Sequence, residues 1–185
     1  MKNQIREQNK IKRRAMSKAQ VAEKSKEAAK AFLQSELYKN AQQIMVYFPL
    51  GNETDTSEII SASFRDGKSL ILPVTDSQSG VITPCIYEKD TVLVKGAFSV
   101  TEPLKIVPAD MLKTDVVLVP GIAFDLSGNR VGFGKGCYDR LLDGTSAVKV
   151  GFCYDWQICP EITADKHDVK MDFLITENGL ICIDK

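Results

Sequence analysis

Four apolar residues in a row, Val116–Val119 within DVVLVPG, constrain this chain more than any other stretch. Successive side chains of a strand point to opposite faces, so an uninterrupted apolar run has to be covered on both sides. The interior of a parallel sheet with helices packed on it meets that demand. The pattern repeats in QIMVYFP (43–49, closed by Pro49), SLILPV (69–74), VKVGFCYD (148–155) and DFLIT (172–176), with helical segments in between. The expected architecture is an α/β three-layer sandwich: a mainly parallel central sheet, N-terminal helices and a small antiparallel excursion.

The helical segments carry their own punctuation. KNQIREQNKIKRRAM (2–16) offers only Ile5, Ile11 and Met16 as apolar positions, and so reads as a helix that packs lightly and stays largely polar. SKAQ at 17–20 is a Ser-x-x-Gln capping box, opening a second helix that runs to about Leu37. Thr56 is placed to cap a short helix through SEIISASFRDG, which Gly67 ends. VITPCIYE (81–88) and TVLVKGAFSV (91–100) form the antiparallel excursion, with Pro84 marking an edge. The chain finishes in a strand and a Gly-turned hook. No repeat, low-complexity tract or linker divides the 185 residues, so a single domain, 1–185, is expected.

Composition narrows the function classes. With 44% hydrophobic and 26% charged residues the chain is globular rather than disordered. No apolar run reaches the ~18 residues of a membrane helix, and the basic start lacks the apolar stretch of a secretory signal. Cys85, Cys137, Cys153, Cys159 and Cys182 are odd in number and widely spaced. They read as reduced thiols of a cytoplasmic protein, not as a disulfide framework or zinc site. His167 is the sole histidine, which excludes a histidine-rich metal centre. In its loop it reads as a surface residue, while Tyr154 and Trp156 read as packing residues at a strand end.

A net charge of zero hides a division. Residues 1–30 hold ten Lys/Arg against three Asp/Glu, and the remainder fourteen against twenty-one. A basic arm on an acidic body suits nucleic acid, a membrane surface, a small polyanion or plain solvation.

The loop SGNRVGFGKGCYDR (127–140) follows a buried strand and precedes a short helix, the place where α/β sheets bind ligands. Gly128, Gly132, Gly134 and Gly136 let backbone N–H groups approach phosphate oxygens, with Lys135 as a point charge. The same glycines also suit a structural turn. Gly136 stands where a P-loop needs Ser/Thr, and no third glycine completes a dinucleotide fingerprint. Asp139, on the first turn of the helix, faces the loop, and Asp172 in KMDF is a second carboxylate that suits either magnesium or strand-end solvation.

LVPGIAFDLSGNRVGFGKGCYDRLL (118–142) resembles the signature P-G-x-A-F-D-x-x-G-x-R-x-G-x-G-x-G-Y-Y-D of the 5-formyltetrahydrofolate cyclo-ligase (methenyltetrahydrofolate synthetase) family. The resemblance extends to Lys-x-x-x-Arg at Lys2 and Arg6, to YFPLGNETDT (47–56) and to VKMD (169–172). It implies an ATP- and Mg²⁺-dependent conversion of 5-formyltetrahydrofolate to 5,10-methenyltetrahydrofolate, ADP and phosphate. In that account the formyl oxygen attacks the γ-phosphate, and N10 then closes the ring and expels phosphate. Such chemistry rests on positioning and charge neutralisation more than on a protein base.

By the same resemblance Arg130 and Lys135 are catalytic. ATP is held by Lys2, Arg6, Arg130, Gly132, Gly134, Lys135, Gly136 and Tyr138, and magnesium by Asp139 and Asp172. Folate lies against Leu50, Glu53 and Asp55, with Phe133, Gly134, Lys135, Gly136 and Cys137 as the opposite wall. Cys137 replaces the first tyrosine of the signature, so the folate side loses an aromatic. The implied partners are the two small molecules alone, with no nucleic acid, no membrane and a monomeric protein. The rival readings are nucleic-acid binding through the basic helices, and a sugar-phosphate or acyl-CoA enzyme on a related α/β sheet.

Overall fold

A computed structural model describes residues 2–96 and 99–184. Helix α1 spans Lys2–Ala15 and α2 spans Lys18–Gln34. Both bonds of the capping box are made: Gln20 N donates to Ser17 Oγ (3.2 Å) and Ser17 N to Gln20 Oε1 (2.9 Å). The second helix ends earlier than expected. Ser35 adopts extended backbone, accepts from Tyr38 N through Oγ, and opens a separate α3, Glu36–Asn40. A serine able to bond the following amides competes with helix continuation, and here it ends one helix and caps the next.

Strand β1 (Gln43–Met45) leads to α4 (Ser57–Arg65). Thr56 does not cap α4 through its side chain; its Oγ1 donates to Tyr47 O, and Asp55 Oδ1 accepts from Ser57 N instead (2.9 Å). Next come β2 (Ser69–Thr75), β3 (Ile82–Tyr87), β4 (Leu93–Lys95) and β5 (Thr101–Pro103). The 91–100 strand is thus reduced to β4, which pairs antiparallel with β5; Ala97 and Phe98 lie outside the described residues. The rest is β6 (Val116–Val119), β7 (Ala123–Phe124), β8 (Arg130–Val131), α5 (Cys137–Leu142), β9 (Val148–Phe152), β10 (Phe173–Thr176) and β11 (Gly179–Cys182).

Seven strands form one sheet in the order β11-β10-β9-β6-β1-β2-β3. The five inner strands run parallel, and β11 and β3 close the two ends antiparallel. Pro84 sits in β3, the outermost strand at its end. Period-two burial explains the uninterrupted apolar runs. Ile44, Leu70, Val116, Leu118, Val150 and Ile175 pack with α2, α3 and α4. Met45, Ile71, Val117, Val119 and Leu174 pack on the other side with Phe124 of β7 and Leu142 of α5. Each fully buried aliphatic side chain of this kind contributes roughly 1.5–3 kcal/mol.

The sheet reverses its winding between β1 and β6, the switch point outside which α/β sheets open a crevice. Loops leaving the carboxyl ends of these neighbours, 46–56 and 120–136, therefore meet. Sequence reasoning ran β6 straight into the glycine loop, but the β7–β8 hairpin intervenes and takes Gly128 into its turn. No helix among the described residues is long and apolar enough to cross a membrane.

Candidate functional site

At the switch point lies a cavity of about 490 Å³. Tyr47, Phe48, Leu50 and Glu53 after β1 line it, as do Arg130–Asp139 after β6, Pro73, Thr75 and Ile82 from the β2–β3 side, and Lys2 and Arg6 from α1.

The glycine loop is held from below and from both ends. Asp125, buried under the β7–β8 turn, accepts from Ser127 N and Asn129 N through Oδ1 and from Asn129 Nδ2 and Ile162 N through Oδ2. That fixes the hairpin which delivers Arg130. Arg130 Nη2 donates to both oxygens of Asp139 (3.0 and 2.9 Å), and the guanidinium faces the Tyr138 ring at 5.7 Å. Its Nε is buried without a hydrogen-bond partner. A Cβ on Gly132 would stand 2.7 Å from Arg130 Nη1, so a side chain there would displace the guanidinium. Gly136 precedes α5 with φ +63°, the left-handed conformation that glycine tolerates. Arg140 then ties the loop's far end, donating to Lys135 O (3.0 Å) and Gly80 O (2.9 Å). Lys135 itself is exposed at the cavity rim.

Helix α1 docks mainly by a polar stripe, beside Ile5, which packs on Ala123, Val131 and Ile162. Lys2, Arg6, Asn9 and Arg13 recur at helical spacing on one face. Lys2 Nζ bonds Asp165 Oδ2 (2.6 Å) and Asp168; Arg6 Nε donates to Gly132 O (2.9 Å); Asn9 Nδ2 donates to Ile122 O (3.1 Å). Arg13 Nη1 reaches Glu53 Oε1 (3.3 Å). Ile11, by contrast, is 66% exposed. The helix is largely polar and lightly packed, as expected, and the helical spacing of Lys2 and Arg6 continues to Asn9 and Arg13, which pin it beside the cavity.

Electrostatics follow from burial. Burial pushes the Glu53 carboxyl above the usual carboxylate range, against the downward pull of Arg13 and of the Leu50 amide, which donates at 2.9 Å. Burial likewise pushes the phenols of Tyr47 and Tyr138 well up, so both stay neutral. The Lys2 ammonium is drawn down by burial but raised further by its bonds to Asp165 and Asp168.

Of the residues expected at the site, Lys2, Arg6, Leu50, Glu53, Arg130, Gly132, Phe133, Gly134, Lys135, Gly136, Cys137, Tyr138 and Asp139 line this one cavity. Two are not brought there. Asp55 accepts from Ser57 N through Oδ1 and donates its own amide N–H to Ser25 Oγ, so it serves the start of α4. Asp172 lines a different depression, where its Oδ2 accepts from Lys149 N (2.8 Å) and pairs with Lys149 Nζ (3.1 Å). The expected magnesium pair is therefore divided: Asp172 braces β9 against β10, and Asp139 is engaged by Arg130. Among the described residues no group of three or more His, Cys, Asp and Glu could hold a metal ion. Asp139 and Asp172 therefore do not share one ligand site. Tyr154 is buried and stacked on Trp156 at 6.0 Å, and His167 is exposed outside the cavity, as read from sequence. Sequence reasoning missed Arg13, Asp165, Asp168, Pro73, Thr75 and Ile82.

Residues 1–177 match the model of the 5-formyltetrahydrofolate cyclo-ligase family. The chain is 31% identical over 190 residues to a 5-formyltetrahydrofolate cyclo-ligase of Mycolicibacterium smegmatis, covering 98% of this chain and 97% of that protein. It is 30% identical over 155 residues to the Mus musculus protein of the same name, covering 77% and 76%. The solution structure of Aquifex aeolicus 5,10-methenyltetrahydrofolate synthetase superimposes with a TM-score of 0.85 at 29% identity, over 100% of this chain and 93% of the other.

Proposed function

The chain belongs to the 5-formyltetrahydrofolate cyclo-ligase family, an enzyme family, and from that premise we propose that its cavity binds ATP and 5-formyltetrahydrofolate together and forms 5,10-methenyltetrahydrofolate, ADP and phosphate. The formyl oxygen attacks the γ-phosphorus, ADP leaves, N10 adds to the activated carbon, and phosphate departs as the ring closes. Magnesium enters with the ATP as part of that substrate, ligated chiefly by phosphate oxygens.

One observation carries this reading: four cations, Lys2, Arg6, Arg130 and Lys135, and one buried carboxylate, Glu53, line a single cavity. A polyphosphate needs the first set, and the donor edge of a pterin needs the second. Arg130 is held by Asp139 until a phosphate competes for it. Lys135, exposed at the rim, stabilises the charge that develops on the transferred phosphoryl group. Phe133 and Cys137 wall the folate side, and the smaller Cys137 leaves space where the family signature has a ring.

The nucleic-acid alternative is weakened because Lys2, Arg6 and Arg13 turn toward the body of the protein. One continuous sheet and a family match over 1–177 favour a single domain. Five free thiols fit a cytoplasmic setting.

The test mixes purified protein with 5-formyltetrahydrofolate, ATP and Mg²⁺ and follows the absorbance of the methenyl product. ATP-dependent product is expected; turnover without ATP, or none with it, would defeat the reading.

A further inference from the structure

Arg13 does not line the cavity, yet it joins two of its walls. It comes from the last turn of α1, 8% exposed, and its Nη1 lies 3.3 Å from Glu53 Oε1 and 3.4 Å from Gly121 O. Its guanidinium carbon lies 5.5 Å from the centre of the Phe133 ring, which is itself 48% exposed at the tip of the glycine loop. One side chain thus touches the carboxylate after β1 and the aromatic after β8.

We propose that Arg13 is a positioning residue for the folate half of the site, holding the Glu53 carboxylate and the Phe133 ring in one working arrangement. This rests on the reading of Glu53 and Phe133 as folate contacts.

A carboxylate as buried as Glu53 favours its neutral form, and a neutral acid would turn a donor where two acceptors are needed. The Leu50 amide occupies Oε2, and Arg13 supplies the only full charge facing Oε1 among the described residues. The other titratable groups facing Glu53 are the phenols of Tyr47, after β1, and Tyr138, on α5, both neutral. Arg13 thereby opposes the upward push of burial on the carboxyl and aims it, and its flat cationic face gives the half-exposed Phe133 ring a seat. Anchoring α1 does not need this side chain. Asn9 donates to Ile122 O, Arg6 to Gly132 O, and Asn52 Nδ2 to the backbone oxygens of Arg13 and Met16.

The experiment compares Arg13→Gln, Arg13→Lys, Glu53→Gln and the Arg13→Gln/Glu53→Gln double variant, with KM and kcat for each substrate, pH profiles and thermal unfolding. Arg13→Gln should raise the folate KM about tenfold or more, the order of one hydrogen bond to a charged group. The ATP KM should stay within about twofold, and the acid limb of the folate kcat/KM should move upward. Arg13→Lys should return the acid limb while leaving part of the KM defect, because charge is restored without the flat face. In the Glu53→Gln background, Arg13→Gln should add less than about threefold. Equal losses for both substrates, or independent penalties in the double variant, would reduce Arg13 to general support and overturn the proposal. A Glu53→Gln protein with unchanged folate KM would overturn the reading of Glu53 and the proposal together. A defective Glu53→Gln beside a silent Arg13→Gln would overturn the proposal alone.

Discussion

Arg130 Nη2 stands 3.0 and 2.9 Å from the two oxygens of Asp139, so the cation best placed inside the cavity carries its own counter-ion. Removing one partner of a fully buried pair costs about 3–5 kcal/mol. Asp139 is partly open to solvent, its side chain 20% exposed, which reduces the expected loss for Asp139→Asn to about 2 kcal/mol. For a chain of this length that lowers Tm by roughly 4–8 °C. ATP supplies the missing anion, so its stabilising effect in a thermal-shift assay should be larger for the variant than for the parent protein. Equal ATP shifts in the two proteins would mean that Arg130 does not exchange Asp139 for phosphate.

Lys135 lies at the exposed rim of the same loop, away from the core. Lys135→Ala should leave Tm essentially unchanged and reduce turnover by roughly 10²–10³, the scale of losing one stabilising group at a developing charge. Arginine at 135 should recover part of that loss. Steady-state kinetics beside a melting curve separate the two effects, and an alanine variant with normal turnover would remove Lys135 from the chemistry.

Much of this arrangement was legible in the sequence because it follows from local rules. Apolar runs mark strands covered on both faces, and Ser17 with Gln20 marks a helix start. Hydrogen-bond partners decided what was missed, a local one at Ser35 and more distant ones at Thr56 and Asp172. Ser35 and Leu37 read as continuing helix by propensity, but the Ser35 hydroxyl found Tyr38 N. Thr56 had the right residue type for a cap, but Tyr47 O claimed its hydroxyl. Asp172 stood in a segment that resembles the family pattern, and only the structure reveals Lys149 across the strand gap. The stripe Lys2-Arg6-Asn9-Arg13 is present in the letters; its first half, Lys2 and Arg6, is read from the sequence, but not its continuation to Asn9 and Arg13.

The Lys2 bridge to Asp165 and Asp168 gives a pH signature. Burial pushes the Asp168 carboxyl up, but the Asp165 amide and Lys2 bring it below its ordinary value, while the Lys2 ammonium ends above its own. A depressed carboxyl contributes stability above its unfolded pKa of about 4 and loses it as pH falls through the lower folded value. A raised lysine contributes fully below about 10.5 and loses it as pH rises through its folded value. The gap in Tm between the parent protein and Lys2→Ala should therefore be flat across roughly pH 5–9 and close on acidification below about 4. A gap that varies through neutral pH would assign the effect to another group.

The cysteines provide a footprint of the cavity that needs no catalysis. Cys182 is exposed, Cys137 is half-buried in the cavity wall, and Cys85 and Cys153 are buried, the Cys153 thiol also pushed well up by that burial. Thiolate access controls alkylation, so iodoacetamide should modify Cys182 first, Cys137 next, and Cys85 and Cys153 only after unfolding. Folate in the cavity should slow the reaction at Cys137 and leave Cys182 untouched. Peptide mass spectrometry over a time course reads both rates in one sample, with Cys182 as the internal reference. Protection confined to Cys137 would locate the folate against the wall where this chain has a thiol in place of an aromatic ring. Equal protection of both cysteines would indicate a general tightening of the protein, and none at either would move the folate away from that wall.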